Sequence, residues 1–284
     1  MSETSTSASH AIASLAISHL TEPKAAQLLS ERFNLPIDLQ HSADMTLGWH
    51  WVKKDPIPKL ALFYQDSGPV FIDFGSGKKA HRRHFGGGKG QPLVRAMGKL
   101  KEGLPTVLDA TAGMGGDSFV IASQGFKVQM IERSVAVAAL LEDGLKRVQD
   151  SLRCLSDKES DPELLGIIMN MSLLQADATD YLLSQKPVVD VIYMDPMYPE
   201  KKKNAATKKE MKALQNLVGP DRDSENLLQA ALQTASYRVV VKRPKSAPIL
   251  QLNNPRLTPS AEISSPNTRY DIYSIKALKA SGLL

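Results

Sequence analysis

The sequence predicts an α/β protein, a doubly wound and mostly parallel sheet over residues 91–284 preceded by a small α+β region over residues 1–90. Three observations carry this expectation. From about residue 92, apolar runs of strand length alternate with helical stretches, the pattern of successive βαβ units. Two of these runs end in an acidic residue followed by glycines or prolines. Residues 188–194 are almost wholly apolar, as suits a strand covered on both faces of a parallel sheet.

The elements follow in order. Residues 1–16 lack the positive start of a secretory signal and read as a loosely ordered lead-in. Residues 60–64 and 70–74 are apolar runs separated by Gly68-Pro69, which predicts an antiparallel hairpin. A glycine- and arginine-rich passage fills 80–90. A strand is expected at 106–110, then a glycine loop and a helix at 118–124. Next come a strand at 127–132, an amphipathic helix at 135–149, a charged loop at 156–163 and a strand at 172–175. Strands at 188–194 and 237–241 follow, and 269–277 alternates like a strand returning antiparallel at the sheet edge.

Composition narrows the function classes. The chain has 284 residues, a formal charge of +5 and 42% hydrophobic content, with a pI near 9.1. That charge only leans toward a polyanionic partner. Cys154 is the one cysteine, which excludes internal disulfides and cysteine-based zinc clusters and suits a reducing cytoplasm. No apolar run reaches the ~20 residues that span a bilayer. The six histidines show no ligand spacing, so no metal is expected.

The first chemical motif is Val107-Leu-Asp-Ala-Thr-Ala-Gly-Met-Gly-Gly-Asp117. Gly113, Gly115 and Gly116 permit a tight turn and close approach of a ligand to the backbone. Glu132 closes the next strand about twenty residues on, where an acidic side chain accepts hydrogen bonds from ribose hydroxyls. Those features also fit a dinucleotide. Asp109 before the loop and Asp117 after it oppose that alternative, because carboxylates repel a pyrophosphate. They welcome the cationic methionine end of S-adenosyl-L-methionine. Asp177 is expected either to meet the adenine amino group or to cap the helix at 178–184, and both readings can hold.

The second motif is Val191-Ile-Tyr-Met-Asp-Pro-Met-Tyr-Pro199. Its prolines hold the residues after Asp195 out of helix and strand. The Asp195 carboxylate and the Pro196 carbonyl then present acceptors for both hydrogens of an exocyclic amine, and Tyr198 a ring on which a flipped base can stack.

Taken together, AHRRHFGGGKG, DATAGMGGDSFVIASQG, ERSVAVAALLEDGL, YMDPMYP, KKEM, LVGPD and VVVKRP resemble the family of ribosomal RNA small subunit methyltransferase J. The resemblance covers residues 70–275, the first sixty matching only loosely. It implies a class I S-adenosylmethionine-dependent methyltransferase fold, a Rossmann-like seven-stranded sheet, acting on guanine N2 of 16S ribosomal RNA. It also implies cofactor contacts at Gly116, Asp117, Glu132, Arg133, Asp177, Ala178 and Asp195. Ala178 stands where relatives can carry a small hydroxyl residue, so its contact would come from backbone.

Three basic clusters are expected to converge on the carboxyl rim of the sheet, where open α/β folds bind ligands. Lys201, Lys202, Lys203, Lys208, Lys209 and Lys212 follow the second motif. Arg82, Arg83 and Lys89 lie among histidines and glycines. Lys242, Arg243 and Lys245 close the strand at 237–241. Phosphate contacts are expected from all three, the open alternatives being a solvated helix face for the lysine run and structural ion pairs for Arg82 and Arg83. Adenine N6 as the target, an NAD-dependent oxidoreductase, and a non-catalytic RNA-binding module are the alternatives.

Overall fold

The computed structural model describes residues 14–18, 20–53, 55–64, 68–75, 90–154, 161–197, 223–252, 254 and 256–284. Two sheets organise them. Strands β1 (Leu15–Ser18), β2 (Ile37–Asp38), β3 (Met45–His50), β4 (Lys59–Tyr64) and β5 (Val70–Phe71) form the first, ordered β2-β1-β3-β4-β5. Helix α1 (Pro23–Phe33) connects β1 to β2; Glu22 caps it by accepting from Lys24 N and Ala25 N. The expected hairpin is β4–β5, antiparallel with Leu62 opposite Val70. The lead-in expectation needs correction at its end. Leu15 and Ala16 belong to β1, which pairs with β2 and β3 in parallel.

The second sheet has seven strands. They are β6 (Val107–Asp109), β7 (Val128–Glu132), β8 (Met171–Gln175), β9 (Val191–Met194), β10 (Arg238–Pro244), β11 (Ala261–Ser264) and β12 (Thr268–Ser274). Their order is β11-β12-β10-β9-β6-β7-β8. All pairings from β8 to β10 are parallel, while β12 runs antiparallel to both β10 and β11. The chain winds outward from β6 through β7 and β8, then crosses back to β9. This places a topological switch point between β6 and β9, the place where open α/β sheets bind ligands. Two expectations change here. The terminal strand β12 is not the edge, because β11 lies outside it. Within the charged stretch after residue 155, a helix begins at Pro162.

Helices α2 (Pro92–Met97), α3 (Gly116–Ala122), α4 (Val135–Cys154), α5 (Pro162–Met169), α6 (Ala178–Gln185), α7 (Ser224–Thr234) and α8 (Ile275–Ala280) cover the seven-stranded sheet. Leu182 of α6, Leu228 of α7 and Leu278 of α8 pack with Ile192, Val239 and Val241 in one buried cluster. The other cluster holds Phe119 and Ile121 of α3, Leu140 and Leu141 of α4, and Val240. It continues without a break into Leu47, Leu60, Leu62 and Ile72 of the N-terminal region. Helix α4 joins the two parts of that shared core. Asp143 accepts from Leu60 N (3.2 Å) and Arg147 Nε (2.8 Å), and Arg147 also donates to Ile72 O. A Cβ on Gly144 would stand 2.8 Å from Ile72 Cγ2, so a larger residue there would force the Ile72 side chain to shift. Phe74 stacks on Phe119 at 5.3 Å. That contact brings the N-terminal region to within a side chain of the loop that opens α3.

Candidate active site

Strand β6 ends at Asp109, beside Tyr193 on one side and Met130 on the other, and its neighbours run one residue further to Met194 and two further to Glu132. Each strand ends in or just before an acidic residue, so Asp109, Glu132 and Asp195 line one rim. The loop after β6 turns there on two left-handed glycines, Gly113 (φ 52°) and Gly115 (φ 68°). Gly115 N–H bonds to Ala112 O at 2.9 Å, and a Cβ on Gly115 would lie 2.8 Å from Leu141 Cδ2. Both conformation and space therefore demand glycine at 115. Gly116 opens α3 and Asp117 sits in its first turn, where a carboxylate is favoured by the helix dipole.

The acids are held by specific donors. Asp109 is fully buried and accepts from Thr111 N (3.1 Å) and Ser118 Oγ (2.5 Å). Burial pushes its carboxyl up to about 7, with the nearby charges of Asp117 and Asp195 acting in the same direction. Glu132 accepts from Gly113 N (2.9 Å) through one oxygen and from Ser134 N (2.7 Å) through the other. It thus ties the glycine loop to the end of β7. Asp177 caps α6 by accepting from Thr179 N and Asp180 N, and it also lines the cavity with Ala178. The N-cap expectation is met.

Asp195 is placed by its backbone, whose N–H donates to Thr111 Oγ1 at 2.6 Å. Pro196 and Met197 continue along the wall of the cavity. Thr111 and Tyr193 also line the cavity, and motif reasoning missed both. The Tyr193 hydroxyl donates to Asp117 Oδ2 at 2.7 Å. Burial first, then the charges of Asp117, Asp195 and Asp109, hold that phenol well above its ordinary value, so it remains a donor. Arg133 pairs with Asp223 at 3.1 Å, and both residues line the cavity.

The third basic cluster divides. Strand β10 alternates, with Val239 and Val241 packed against α7 and Val240 in the opposite cluster. Lys242 shares the Val240 face and turns into the site. Its Nζ lies 2.7 Å from Asp117 Oδ2 and 2.7 Å from Asp195 Oδ2. Arg243 faces the other way, is buried, and donates from Nε and Nη2 to Pro248 O. Both of these expected phosphate contacts have partners within the protein. One is bound to two carboxylates, and the other is built into the fold by a backbone carbonyl. Tyr198, Arg82, Arg83, Lys89, Lys201, Lys202, Lys203, Lys208, Lys209 and Lys212 lie outside the described residues.

The resulting cavity measures about 310 Å³ and runs from Asp109 and Gly113 past Glu132 and Asp177 to Asp195 and Lys242. Six of its lining residues are acidic (Asp109, Asp117, Glu132, Asp177, Asp195, Asp223) and two are cationic (Arg133, Lys242). A wall of that charge repels a pyrophosphate and attracts a ligand bearing an ammonium and a sulfonium. The apolar sections, Ile131, Val137, Ala176 and Leu227, suit the faces of an adenine ring. The residues present fit S-adenosylmethionine. Among the described residues, no three metal-ligating side chains come together, and no helix is long and apolar enough to cross a membrane.

Comparison with known proteins agrees with that geometry. The family model described as a putative SAM-dependent methyltransferase matches residues 29–275. The ribosomal RNA small subunit methyltransferase J of Hydrogenovibrio crunogenus is 55% identical, with 92% of this chain and 95% of that protein covered. Its namesake from Aeromonas salmonicida is 45% identical over 92% of this chain and 96% of its own. A crystal structure of a SAM-dependent methyltransferase from Neisseria gonorrhoeae superposes with a TM-score of 0.65 at 30% identity, covering 92% of this chain and 95% of that one. The chain belongs to the ribosomal RNA small subunit methyltransferase J family of SAM-dependent methyltransferases.

Proposed function

We propose that this enzyme methylates the exocyclic N2 of a guanine in small-subunit ribosomal RNA, in the cytoplasm, with Asp195 and Pro196 receiving the target amine. The observation that carries this reading is the position of Asp195. It stands at the end of β9 on the rim of the acid-lined cavity, with its backbone anchored to Thr111. The bound cofactor supplies a methyl group activated by attachment to a sulfonium. Everything else falls to the chain. The cavity orients that group through Asp109, Asp117, Glu132 and Asp177, with Gly113, Gly115 and Gly116 allowing close approach of the backbone. Arg133 and Ala178 complete the expected contacts.

The Asp195 carboxylate and the Pro196 carbonyl accept one amino hydrogen each, which turns the nitrogen lone pair toward the cavity. The amine's extra proton passes to solvent once the new N–C bond has formed and the methyl–sulfur bond has broken, so Asp195 acts as an acceptor and need not be a strong base. Proximity and orientation then supply most of the acceleration. Tyr198 stacks on the flipped base, a contact worth ~1–3 kcal/mol. Lys201, Lys202, Lys203, Arg82, Arg83 and Lys89, with the region 1–90, hold the RNA through its phosphates. Support for the guanine target comes from the family name, because an amine acceptor of this kind suits adenine N6 equally.

Asp195→Ala tests the assignment. Turnover should fall by about 100-fold or more, the scale expected when a reacting group is misplaced, while RNA affinity stays near that of the parent. Equal losses in turnover and affinity would show that Asp195 binds RNA without orienting the amine.

A further inference from the structure

By sequence, Lys242 groups with Arg243 and Lys245 as a basic cluster at the end of a strand. The fold removes it from that group. Its Cα is fixed in a central strand, registered with Tyr270 on one side and one residue beyond the Val241–Met194 pair on the other. This register sets Lys242 beside Asp195 at the same height on the rim. Its ammonium then lies between two carboxylates from different parts of the chain, Asp117 of α3 and Asp195 after β9, each at 2.7 Å. The side chain is 25% exposed, against 17% for Asp117 and 39% for Asp195. These pairs are partly withdrawn from water, where charge-assisted hydrogen bonds are stronger than at the surface.

We propose that Lys242 is a positioning residue for methyl transfer, holding the Asp195 carboxylate in place for the target amine and tying it to Asp117 on the cofactor side. This inference rests on the role given to Asp195 above. The groups facing Lys242 are Asp117, Tyr193 and Asp195, with Asp109 behind them. Asp117 Oδ2 receives both the lysine ammonium and the Tyr193 hydroxyl, which orients the carboxylate from two directions. Without the cation, Asp117 and Asp195 would repel each other across the site. The raised pKa of Asp109, to which both contribute, shows that their charges are felt there.

The lysine itself is no base. Burial draws its pKa down, but Asp195 and Asp117 outweigh burial and hold it above the ordinary value. It therefore stays an ammonium throughout the working pH range. To reach a phosphate it would have to leave two ion pairs. This disfavours the phosphate-binding role that its place in the sequence suggests.

The test compares the parent with Lys242→Gln, Lys242→Arg, Asp195→Asn and the Lys242→Gln/Asp195→Asn double variant. Four quantities are read, namely kcat, RNA Kd with its salt dependence, calorimetric affinity for S-adenosylhomocysteine, and the pH profile of kcat. Lys242→Gln should lose on the order of 100-fold in kcat with RNA Kd and its salt slope unchanged. Its acidic limb should move to higher pH, because no cation then favours the charged carboxylate. The double variant should be no slower than Asp195→Asn alone, the signature of one residue acting through another. A Lys242→Gln protein that loses RNA affinity and salt slope while keeping kcat would overturn the proposal in favour of a phosphate contact. So would multiplicative losses in the double variant.

If Lys242→Gln melts below the assay temperature, Lys242→Arg carries the test. It retains the cation, so its acidic limb should match the parent while kcat falls; a displaced limb would refute the idea. A parent that transfers no methyl to RNA overturns the function itself. An active parent with an unimpaired Lys242→Gln variant overturns only the role of the lysine.

Discussion

Replacing Asp109 by asparagine should make the ligand-free protein more stable in alkaline buffer while weakening its hold on S-adenosylmethionine. The carboxyl titrates at about 7 in the folded chain against 3.8 for an ordinary aspartate, and burial is the main cause. A group raised in this way contributes stability that is fully present below 3.8 and is lost as the pH climbs through about 7. At ~1.36 kcal/mol per pKa unit, the whole loss is roughly 4 kcal/mol. Asparagine keeps the shape and an acceptor for Thr111 N–H but carries no charge, so it abolishes the dependence. Between pH 5 and pH 8, Asp109→Asn should gain about 3 kcal/mol on the parent, or ~6–12 °C in melting temperature for a chain of this size. Thermal melts of both ligand-free proteins at the two pH values make the comparison, and calorimetry with S-adenosylmethionine at pH 8 supplies the second half. A melting difference that is the same at both pH values would refute the electrostatic account of the buried acid. Undiminished cofactor affinity would refute its role toward a cationic ligand.

Other substitutions separate scaffold from chemistry. Gly115→Ala must adopt a left-handed conformation costing ~1–2 kcal/mol and displace the buried Leu141 side chain. Its melting temperature and cofactor affinity should both fall. Gly166→Ala is the contrasting case. It lies inside α5 with nothing within 4 Å of the new methyl group and should stabilise the chain by ~0.5–1 kcal/mol, as a denaturant titration would record. Arg243→Ala should cost ~1.5–3 kcal/mol of stability through its lost bonds to Pro248 O. The salt slope of RNA binding should not change, whereas loss of a phosphate contact would lower that slope by about 1.

Much of the site was legible because its acids are punctuation. Asp109, Glu132 and Asp195 each follow an apolar run and precede a turn, so the residues that end the strands also line the rim. What stayed hidden depends on partners distant in sequence. Thr111 reads as an ordinary loop residue until Asp195 N–H is seen to bond to it, and Tyr193 reads as a core aromatic until its hydroxyl meets Asp117. Lys242 and Arg243 were the recoverable case. Neighbours in a strand face opposite sides of the sheet, so alternation alone says that they cannot share one surface role. Strand β11 is short and mostly exposed and carries little apolar signal. Helix α5 has such a signal in Leu164, Ile167 and Ile168, but the charged stretch before it and the Asp161-Pro162 start read as loop. The sequence separates residues 1–90 from the rest by texture, but it does not reveal that Ile72 and Phe74 pack into the same core as α3 and α4.

The most direct measurement is transfer of radiolabelled methyl from S-adenosylmethionine to small-subunit RNA or particles from a strain lacking this gene, followed by nucleoside analysis. The guanine-N2 assignment requires label in N2-methylguanosine, abolished by Asp195→Ala. Label in N6-methyladenosine, or a folded enzyme that binds the cofactor and labels no RNA, would contradict it.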